Sequence, residues 1–211
     1  MSQAFIQLAI DCISAEKSLA IVEACKDYVD IIEIGTPCLK VNGASLLEQI
    51  LAIVGAKPVL VDTKTMDAGF YEVDPFYTLG ASICTVLGAA GETTIQGVVS
   101  AAQKHGKQSQ VDLINCTNKQ AIAELACQTG ASIIGIHTGI DAQQHGETPF
   151  ADLQRISSLK LKTMISVAGG INKHTAPRAI ELGADIVVVG GAITGADNPR
   201  QAARDLYQAI R

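Results

Sequence analysis

The chain has 211 residues, a net charge of −5 and 48% hydrophobic residues. This size and composition predict one globular domain with a full hydrophobic core, and they exclude an intrinsically disordered chain. The acidic balance argues against a nucleic-acid-binding surface, and no apolar run approaches the roughly 20 residues that span a bilayer.

The start of the chain and its cysteines indicate a cytoplasmic protein. No basic leader precedes an apolar stretch in residues 1–5, so we expect no secretory signal. The six cysteines show no CxxC spacing, which favours reduced, partly buried thiols over a disulfide framework or a zinc site.

Short β-rich apolar runs alternate with longer helical patterns along the chain. Strands are predicted at residues 5–11, 29–34, 58–61, 83–86, 110–113, 133–136, 163–167 and 186–189. Helices are predicted at residues 14–28, 44–54, 71–79, 93–105, 118–128, 150–159, 173–182 and 199–210. Ser14 is the expected N-cap of the first helix, and Pro75 is expected near the first turn of its helix.

A faint internal repeat supports eight strand–helix units. Segments beginning at Gly80, Gly130 and Gly183 each lead into a predicted strand and lie about 50 residues apart. Glycine closes a helix in the left-handed conformation before the chain turns into the sheet. Eight parallel units close most economically into a (β/α)8 TIM barrel, here a single domain over residues 1–211, with an open doubly wound sheet as the alternative.

Ionisable residues end several of the predicted strands. In a (β/α)8 barrel the chemistry belongs at these C-terminal strand ends. Four carboxylates, a lysine and a histidine at one barrel mouth cost desolvation and repulsion, which a bound cation and a substrate would offset. The residues concerned are Asp11, Glu33, Asp62, Lys64, Asp112 and His137. For Asp11, a role in capping the following helix remains an alternative.

Two further patterns define the candidate site. Asp62 and Lys64 point to the same side of an extended chain, where a lysine can stabilise developing negative charge. Gly-Gly pairs follow the last two strands, the usual position of a barrel phosphate site, although simple tight turns would give the same pattern. We therefore expect a phosphorylated substrate, with Asp11, Gly170, Gly190 and Gly191 as its binding residues.

The same residue types suggest chemistry next to a ketone. Removing a proton there requires a base and a means of holding the resulting enediolate. A hard cation on carboxylate oxygens supplies such stabilisation, and Lys64 adds a fixed positive charge. His137 is the candidate base, with Asp62 and Asp112 as alternatives.

The motif Asp62-x-Lys64-x-x-Asp67, with the acids before it and the histidine after it, resembles the orotidine monophosphate decarboxylase suprafamily over essentially the whole chain. Within that suprafamily, residues 64–69 and 137–141 are most similar to the 3-hexulose-6-phosphate synthase family. The resemblance implies a magnesium-dependent aldol reaction of formaldehyde with D-ribulose 5-phosphate that gives D-arabino-hex-3-ulose 6-phosphate. Manganese would serve equally as an oxygen-bound cation.

The resemblance also implies individual roles. Glu33 and Asp62 would bind the metal, and Lys64, Asp67 and His137 would surround the reacting carbons. The aspartate that matches Asp67 reaches a neighbouring subunit's site in such proteins, which implies a homodimer with shared active sites.

Three alternatives remain at this point. The first is 3-keto-L-gulonate-6-phosphate decarboxylase, which usually has an arginine a few residues beyond the histidine and a glutamate at the position of Asp112; neither is present here. A phosphopentose epimerase would use early-strand histidines as metal ligands, and no histidine precedes His105. A non-catalytic sugar-phosphate sensor would not need the full ionisable set.

Overall fold

The computed structural model describes residues 4–211 and forms a closed parallel barrel. The strands are β1 Phe5–Ile10, β2 Ile31–Ile34, β3 Val59–Thr65, β4 Ile83–Leu87, β5 Gln108–Asp112, β6 Ile133–His137, β7 Met164–Ala168 and β8 Ile186–Val189. They pair in chain order, and β8 closes the sheet by pairing with β1. The predicted (β/α)8 barrel is therefore confirmed, and the open-sheet alternative is wrong.

Eleven helices lie among these strands in the described residues. They are α1 Ala15–Cys25, α2 Thr36–Asn42, α3 Ser45–Val54, α4 Gly69–Thr78, α5 Glu92–Lys104, α6 Lys119–Thr129, α7 Ile140–Gln144, α8 Phe150–Ser157, α9 Ala176–Glu181, α10 Gly191–Thr194 and α11 Pro199–Ile210. A short 3-10 turn, Lys26–Tyr28, follows α1. The sequence did not predict α2, α7 and α10, because each is too short to show helical periodicity.

Local signals in the sequence set several element boundaries. The Ser14 side chain accepts a hydrogen bond from the Lys17 N–H, which confirms the predicted N-cap. Gly80, Gly130 and Gly183 have φ angles of 109°, 85° and 101°, the left-handed conformation that only glycine adopts easily.

Two expectations about the helices were wrong: the position of Pro75 and the start of α9. Pro75 lies inside α4 rather than in its first turn. Proline has no N–H, so the Tyr71 carbonyl oxygen receives no helical hydrogen bond from residue 75. Tyr71 is 83% exposed, and its carbonyl oxygen can accept from water instead. The helix predicted at 173–182 begins only at Ala176, because the Asn172 and Thr175 side chains hold residues 172–175 in a turn.

Period-two alternation fills the barrel interior in layers. Toward the N-terminal ends of the strands, apolar side chains form a plug; its members are Ile31, Leu60, Ile83, Ile133, Met164 and Ile186. Polar side chains of the same strands lie further along, and the ionisable residues come at the C-terminal ends. A larger apolar core packs between the outside of the sheet and the helices.

The cysteines and the helices of this fold bear on two predictions from composition. All six cysteines are free, and Cys25, Cys38 and Cys84 are buried, as expected for thiols that behave as small apolar side chains. Within residues 4–211, no helix is long and apolar enough to cross a membrane. The expectation about a leader concerns residues 1–3 in part, and these lie outside the described residues.

Candidate active site

One cavity opens at the C-terminal ends of the strands and has a volume of about 680 Å³. Nine of the ten residues that the sequence singled out line it: Asp11, Glu33, Asp62, Lys64, Asp112, His137, Gly170, Gly190 and Gly191. The tenth, Asp67, lies outside this cavity and is exposed. The barrel thus brings together side chains at the ends of β1, β2, β3, β5 and β6 with the turns after β7 and β8.

Lys64 is held between two carboxylates from different strands. Its Nζ lies 2.9 Å from Asp62 Oδ2 and 2.9 Å from Asp112 Oδ2. Burial by itself lowers the pKa of Lys64, but the charges of Asp112 and Asp62 outweigh it and raise the pKa above its ordinary value. The lysine therefore stays protonated and provides a fixed positive charge in the cavity.

Asp112 also binds the histidine. His137 Nδ1 lies 2.9 Å from Asp112 Oδ2. Burial raises the pKa of Asp112, yet the hydrogen bond and charge of His137 and the ammonium of Lys64 bring it to about 2. An ionised carboxylate can only accept, so Nδ1 of His137 carries the hydrogen and Nε2 is the basic nitrogen of the neutral ring.

The pKa of His137 is set by the same contact. Desolvation lowers it, but the hydrogen bond and negative charge of Asp112 raise it above its ordinary value. His137 is consequently a stronger base than a free imidazole, and it is oriented by a buried acid.

Glu33 lies deeper in the barrel and retains some exposure to the cavity. Its Oε2 accepts a 2.7 Å hydrogen bond from Gln7 Nε2. Burial, followed by the negative charge of Asp62, raises the pKa of Glu33 to about 8. The carboxylate form of Glu33 therefore lacks a sufficient positive partner among the protein's own side chains.

Asp11 approaches the backbone of the neighbouring strands closely. A Cβ added to Gly35 would lie 2.0 Å from Asp11 Oδ1, so only glycine leaves room for this carboxylate. Partial burial, and then the charge of Asp62, raise the pKa of Asp11. Because Ser14 caps α1, the capping alternative for Asp11 is wrong.

The two glycine turns differ in the space that they leave for an added Cβ atom. Gly169 and Gly170 have φ angles of 114° and 69°, and a Cβ on Gly169 would meet the Thr138 carbonyl oxygen at 2.6 Å. A Cβ on Gly191 would meet no atom within 4 Å. The second turn therefore leaves open space beside its backbone in the cavity, as a bound anion would require.

The sequence analysis missed several polar residues around the site. Gln7 shares the inward face of β1 with Asp11, so period-two alternation could have found it. Thr36 Oγ1 lies 2.8 Å from Asp62 Oδ2, and Thr85 Oγ1 lies 2.7 Å from Asp62 Oδ1. Nothing in the sequence marks these threonines, because their role depends on which strands are neighbours.

Exposed apolar side chains lie near Asp67 in the sequence and on the two preceding strand–helix units. Met66 is 54% exposed, and Phe70 and Tyr71 at the start of α4 are also exposed. Ile13, in the loop after β1, and Val41, in α2, are exposed as well. Single exposed apolar residues are common, but a group of five on adjacent units is typical of a protein–protein interface.

Comparison with known proteins agrees with this geometry. Residues 4–206 match the Orotidine 5'-phosphate decarboxylase / HUMPS family. The chain belongs to this family. One similar protein is the 3-hexulose-6-phosphate synthase of Methylomonas aminofaciens. It is 48% identical over 203 residues, which cover 96% of this chain and 97% of that protein.

Solved structures similar to this barrel include a 3-hexulose-6-phosphate synthase and a KGPDC. The HUMPS-family barrel is similar to the 3-hexulose-6-phosphate synthase from Salmonella typhimurium, with a TM-score of 0.92, 38% identity and coverage of 98% of both chains. It is also similar to a structure of KGPDC from Streptococcus mutans, with a TM-score of 0.91, 25% identity and coverage of 98% of this chain and 97% of that one.

Proposed function

We propose that this chain is a metal-dependent 3-hexulose-6-phosphate synthase, an aldolase that joins formaldehyde to D-ribulose 5-phosphate and gives D-arabino-hex-3-ulose 6-phosphate. One observation carries the proposal: an ammonium fixed between two carboxylates, one of which also orients a histidine, lies in the same cavity as two glycine turns. The 48% identity to a synthase of that name supports the choice of substrate.

His137 and Lys64 supply the proton transfer and the charge stabilisation that the aldol reaction requires. Nε2 of neutral His137 takes a proton from C1 of the ketose, and the electron pair moves onto the C2 oxygen, where the Lys64 ammonium stabilises the negative charge. C1 then attacks the formaldehyde carbon with the electron pair of the C1–C2 double bond, while the pair on the C2 oxygen re-forms the ketone. The carbonyl electron pair of formaldehyde moves to its oxygen, which takes the proton back from His137. The base is thereby regenerated in its starting form.

Asp112 is a weaker candidate for the base than His137. Its pKa near 2 and its contacts with the Lys64 ammonium and with Nδ1 of His137 make its carboxylate a poor proton acceptor at neutral pH. Asp62 is likewise tied to Lys64 and to two threonine hydroxyls. We therefore assign both acids to orienting the ammonium and the imidazole.

The donor set fits a hard divalent cation such as Mg²⁺ or Mn²⁺. Glu33 and Asp62 would hold it, because carboxylate oxygens are its preferred ligands and the charge of Lys64 does not offset the burial of Glu33 and the repulsion from Asp62. No group of three or more His, Cys, Asp or Glu side chains within residues 4–211 is arranged as a metal site. Magnesium commonly uses one or two carboxylates and takes its other ligands from substrate and water. When bound, the cation would stabilise negative charge on the substrate oxygens.

The phosphate would lie at Gly170, Gly190 and Gly191, where backbone N–H groups can approach it closely. Asp11 would contact the sugar. Anchoring the phosphate away from the reacting carbons orients C1 toward His137.

The quaternary structure is also a proposal. Asp67 is exposed, lies near exposed apolar side chains in the sequence, and does not line its own chain's cavity. We assign these apolar residues to a homodimer interface through which Asp67 reaches the neighbouring active site. Mixing inactive Lys64→Ala and Asp67→Ala subunits should then restore about a quarter of the wild-type activity, because reassorted dimers contain one intact site. Absence of complementation in a confirmed mixed dimer would contradict the shared site.

The second candidate function is that of 3-keto-L-gulonate-6-phosphate decarboxylase, abbreviated KGPDC. The TM-score of 0.91 to the KGPDC structure from Streptococcus mutans supports it. Asp112 and the lack of arginine in residues 138–149 favour the synthase. The deciding experiment measures formaldehyde consumption with D-ribulose 5-phosphate and CO₂ release from 3-keto-L-gulonate 6-phosphate, with and without Mg²⁺. Turnover of only the second substrate would refute the proposal. Lys64→Ala should abolish turnover but retain binding of the phosphosugar.

For location, we propose the cytoplasm. Support comes from the six unpaired thiols, four of them with a pKa raised by burial and so protected from thiolate chemistry: Cys25, Cys38, Cys84 and Cys116.

A further inference from the structure

Strand β3 pairs unevenly with β4 where it carries two site residues. Val61 lies opposite Cys84 and Thr65 lies opposite Val86, so residues 62–64 are opposed by Thr85 alone. Such a bulge interrupts the ladder and redirects side chains. Within it, Lys64 has a φ of 43°, in the left-handed region that residues with a Cβ disfavour. The surrounding structure must therefore hold Lys64 in place.

The side chain of Thr85 replaces the hydrogen bonds that the bulge removes. Thr85 Oγ1 lies 2.7 Å from Asp62 Oδ1 and accepts the backbone N–H of Lys64 at 2.9 Å. The Thr85 carbonyl oxygen accepts from the Thr63 hydroxyl at 2.6 Å. Since the hydroxyl has one proton and the Asp62 carboxylate only accepts, Thr85 donates to Asp62 and accepts from Lys64.

We propose that Thr85 is a positioning residue that sets the geometry of the Asp62–Lys64 pair through this hydroxyl. It is 1% exposed and does not line the cavity, so it acts through those two residues and not on substrate. The expected effect on kcat rests on the proposed function. The expected effect on the conformation of Lys64 does not.

The physical consequence follows from the two bonds. Without the hydroxyl, the Lys64 N–H loses its acceptor and Asp62 Oδ1 loses a donor. Lys64 can then relax to an ordinary extended conformation, and its ammonium leaves the position 2.9 Å from Asp62 and Asp112. The phosphate turns belong to β7 and β8 on the opposite side of the barrel and should remain unchanged.

The test compares three variants. Thr85→Val removes the hydroxyl and keeps the shape, and Thr85→Ser restores the hydroxyl. Thr65→Val is the matched control, since Thr65 is on β3, is also 1% exposed, and donates its hydroxyl only to Thr63 at 3.2 Å. We expect Thr85→Val to lower kcat by about 100-fold, as displaced catalytic groups do, with KM for D-ribulose 5-phosphate within about threefold of wild type. Thr85→Ser and Thr65→Val should stay within about threefold of wild type in kcat.

Crystal structures of wild type and Thr85→Val provide a readout that does not depend on turnover. The variant should show Lys64 with a negative φ, or with its ammonium separated from Asp112. An unchanged Lys64 overturns the inference, as does a kcat loss shared equally by Thr65→Val. If wild type lacks aldolase activity, the proposed function fails and the crystal structures alone decide the inference. Thr85→Ala serves in both measurements if Thr85→Val does not fold.

Discussion

Replacing Asp112 by Asn tests the proposed catalytic arrangement most directly. The change preserves size and removes the charge that contacts both Lys64 and His137 at 2.9 Å. The pKa of Asp112 falls from an ordinary 3.8 to about 2. At 1.36 kcal/mol per pKa unit, this shift corresponds to about 2 kcal/mol of stabilisation at neutral pH. We expect Asp112→Asn to lose about that much free energy of unfolding in urea at pH 7.

The pH dependence gives the sign of each contribution. The pKa of Asp112 is depressed, so its stabilisation is present above pH 3.8 and is lost as the pH falls through about 2. The pKa of His137 is raised, so its stabilisation is complete below its ordinary 6.5 and is lost as the pH rises through the raised value. Asp112→Asn removes the charge that raises it, and the pKa of His137 should fall.

The activity profile follows from the base role. Neutral His137 is the active form, so kcat/KM decreases as the pH drops through its pKa. In Asp112→Asn this acidic limb should move to lower pH while the maximal rate falls. Asp74→Asn is the matched control, because Asp74 also contacts a lysine and a histidine at 2.9 Å but lies outside the cavity. An acidic limb that stays in place or moves to higher pH in Asp112→Asn would refute the reasoning.

Three further predictions concern the phosphate site, the core and the metal. Gly191→Ala should raise KM for D-ribulose 5-phosphate about tenfold or more with unchanged urea stability, whereas Gly169→Ala, at φ 114°, should destabilise the fold. Tyr77→Phe should cost about 1–3 kcal/mol in urea unfolding, because the Tyr77 hydroxyl donates to the Gln108 carbonyl oxygen and accepts from the buried Cys84 N–H. Tyr207→Phe, on the exposed side of α11, should cost nothing measurable. Removal of divalent cations with EDTA should abolish turnover, and added Mg²⁺ should restore it; full activity after dialysis against EDTA would exclude the metal proposal.

Particular residues show where prediction from the sequence reached its limit. The spacing of Asp62 and Lys64 indicated a shared side, and both line the cavity. The regular strand assumed for that inference is absent, because a bulge opposite Thr85 and a left-handed Lys64 produce the arrangement. Asp67 belongs to the same motif yet is exposed, since the turn into α4 carries it away from its own barrel.

The sequence by itself determined the eight strand–helix units, their glycine-closed turns and the ionisable residues at the strand ends, because periodicity and turn chemistry act over a few neighbouring residues. Only the tertiary structure decided that β8 pairs with β1, that Asp112 and Lys64 meet across 48 residues of chain, and that β4 holds the bulge of β3. These contacts join distant segments, so they depend on strand register and barrel closure, which no local pattern encodes.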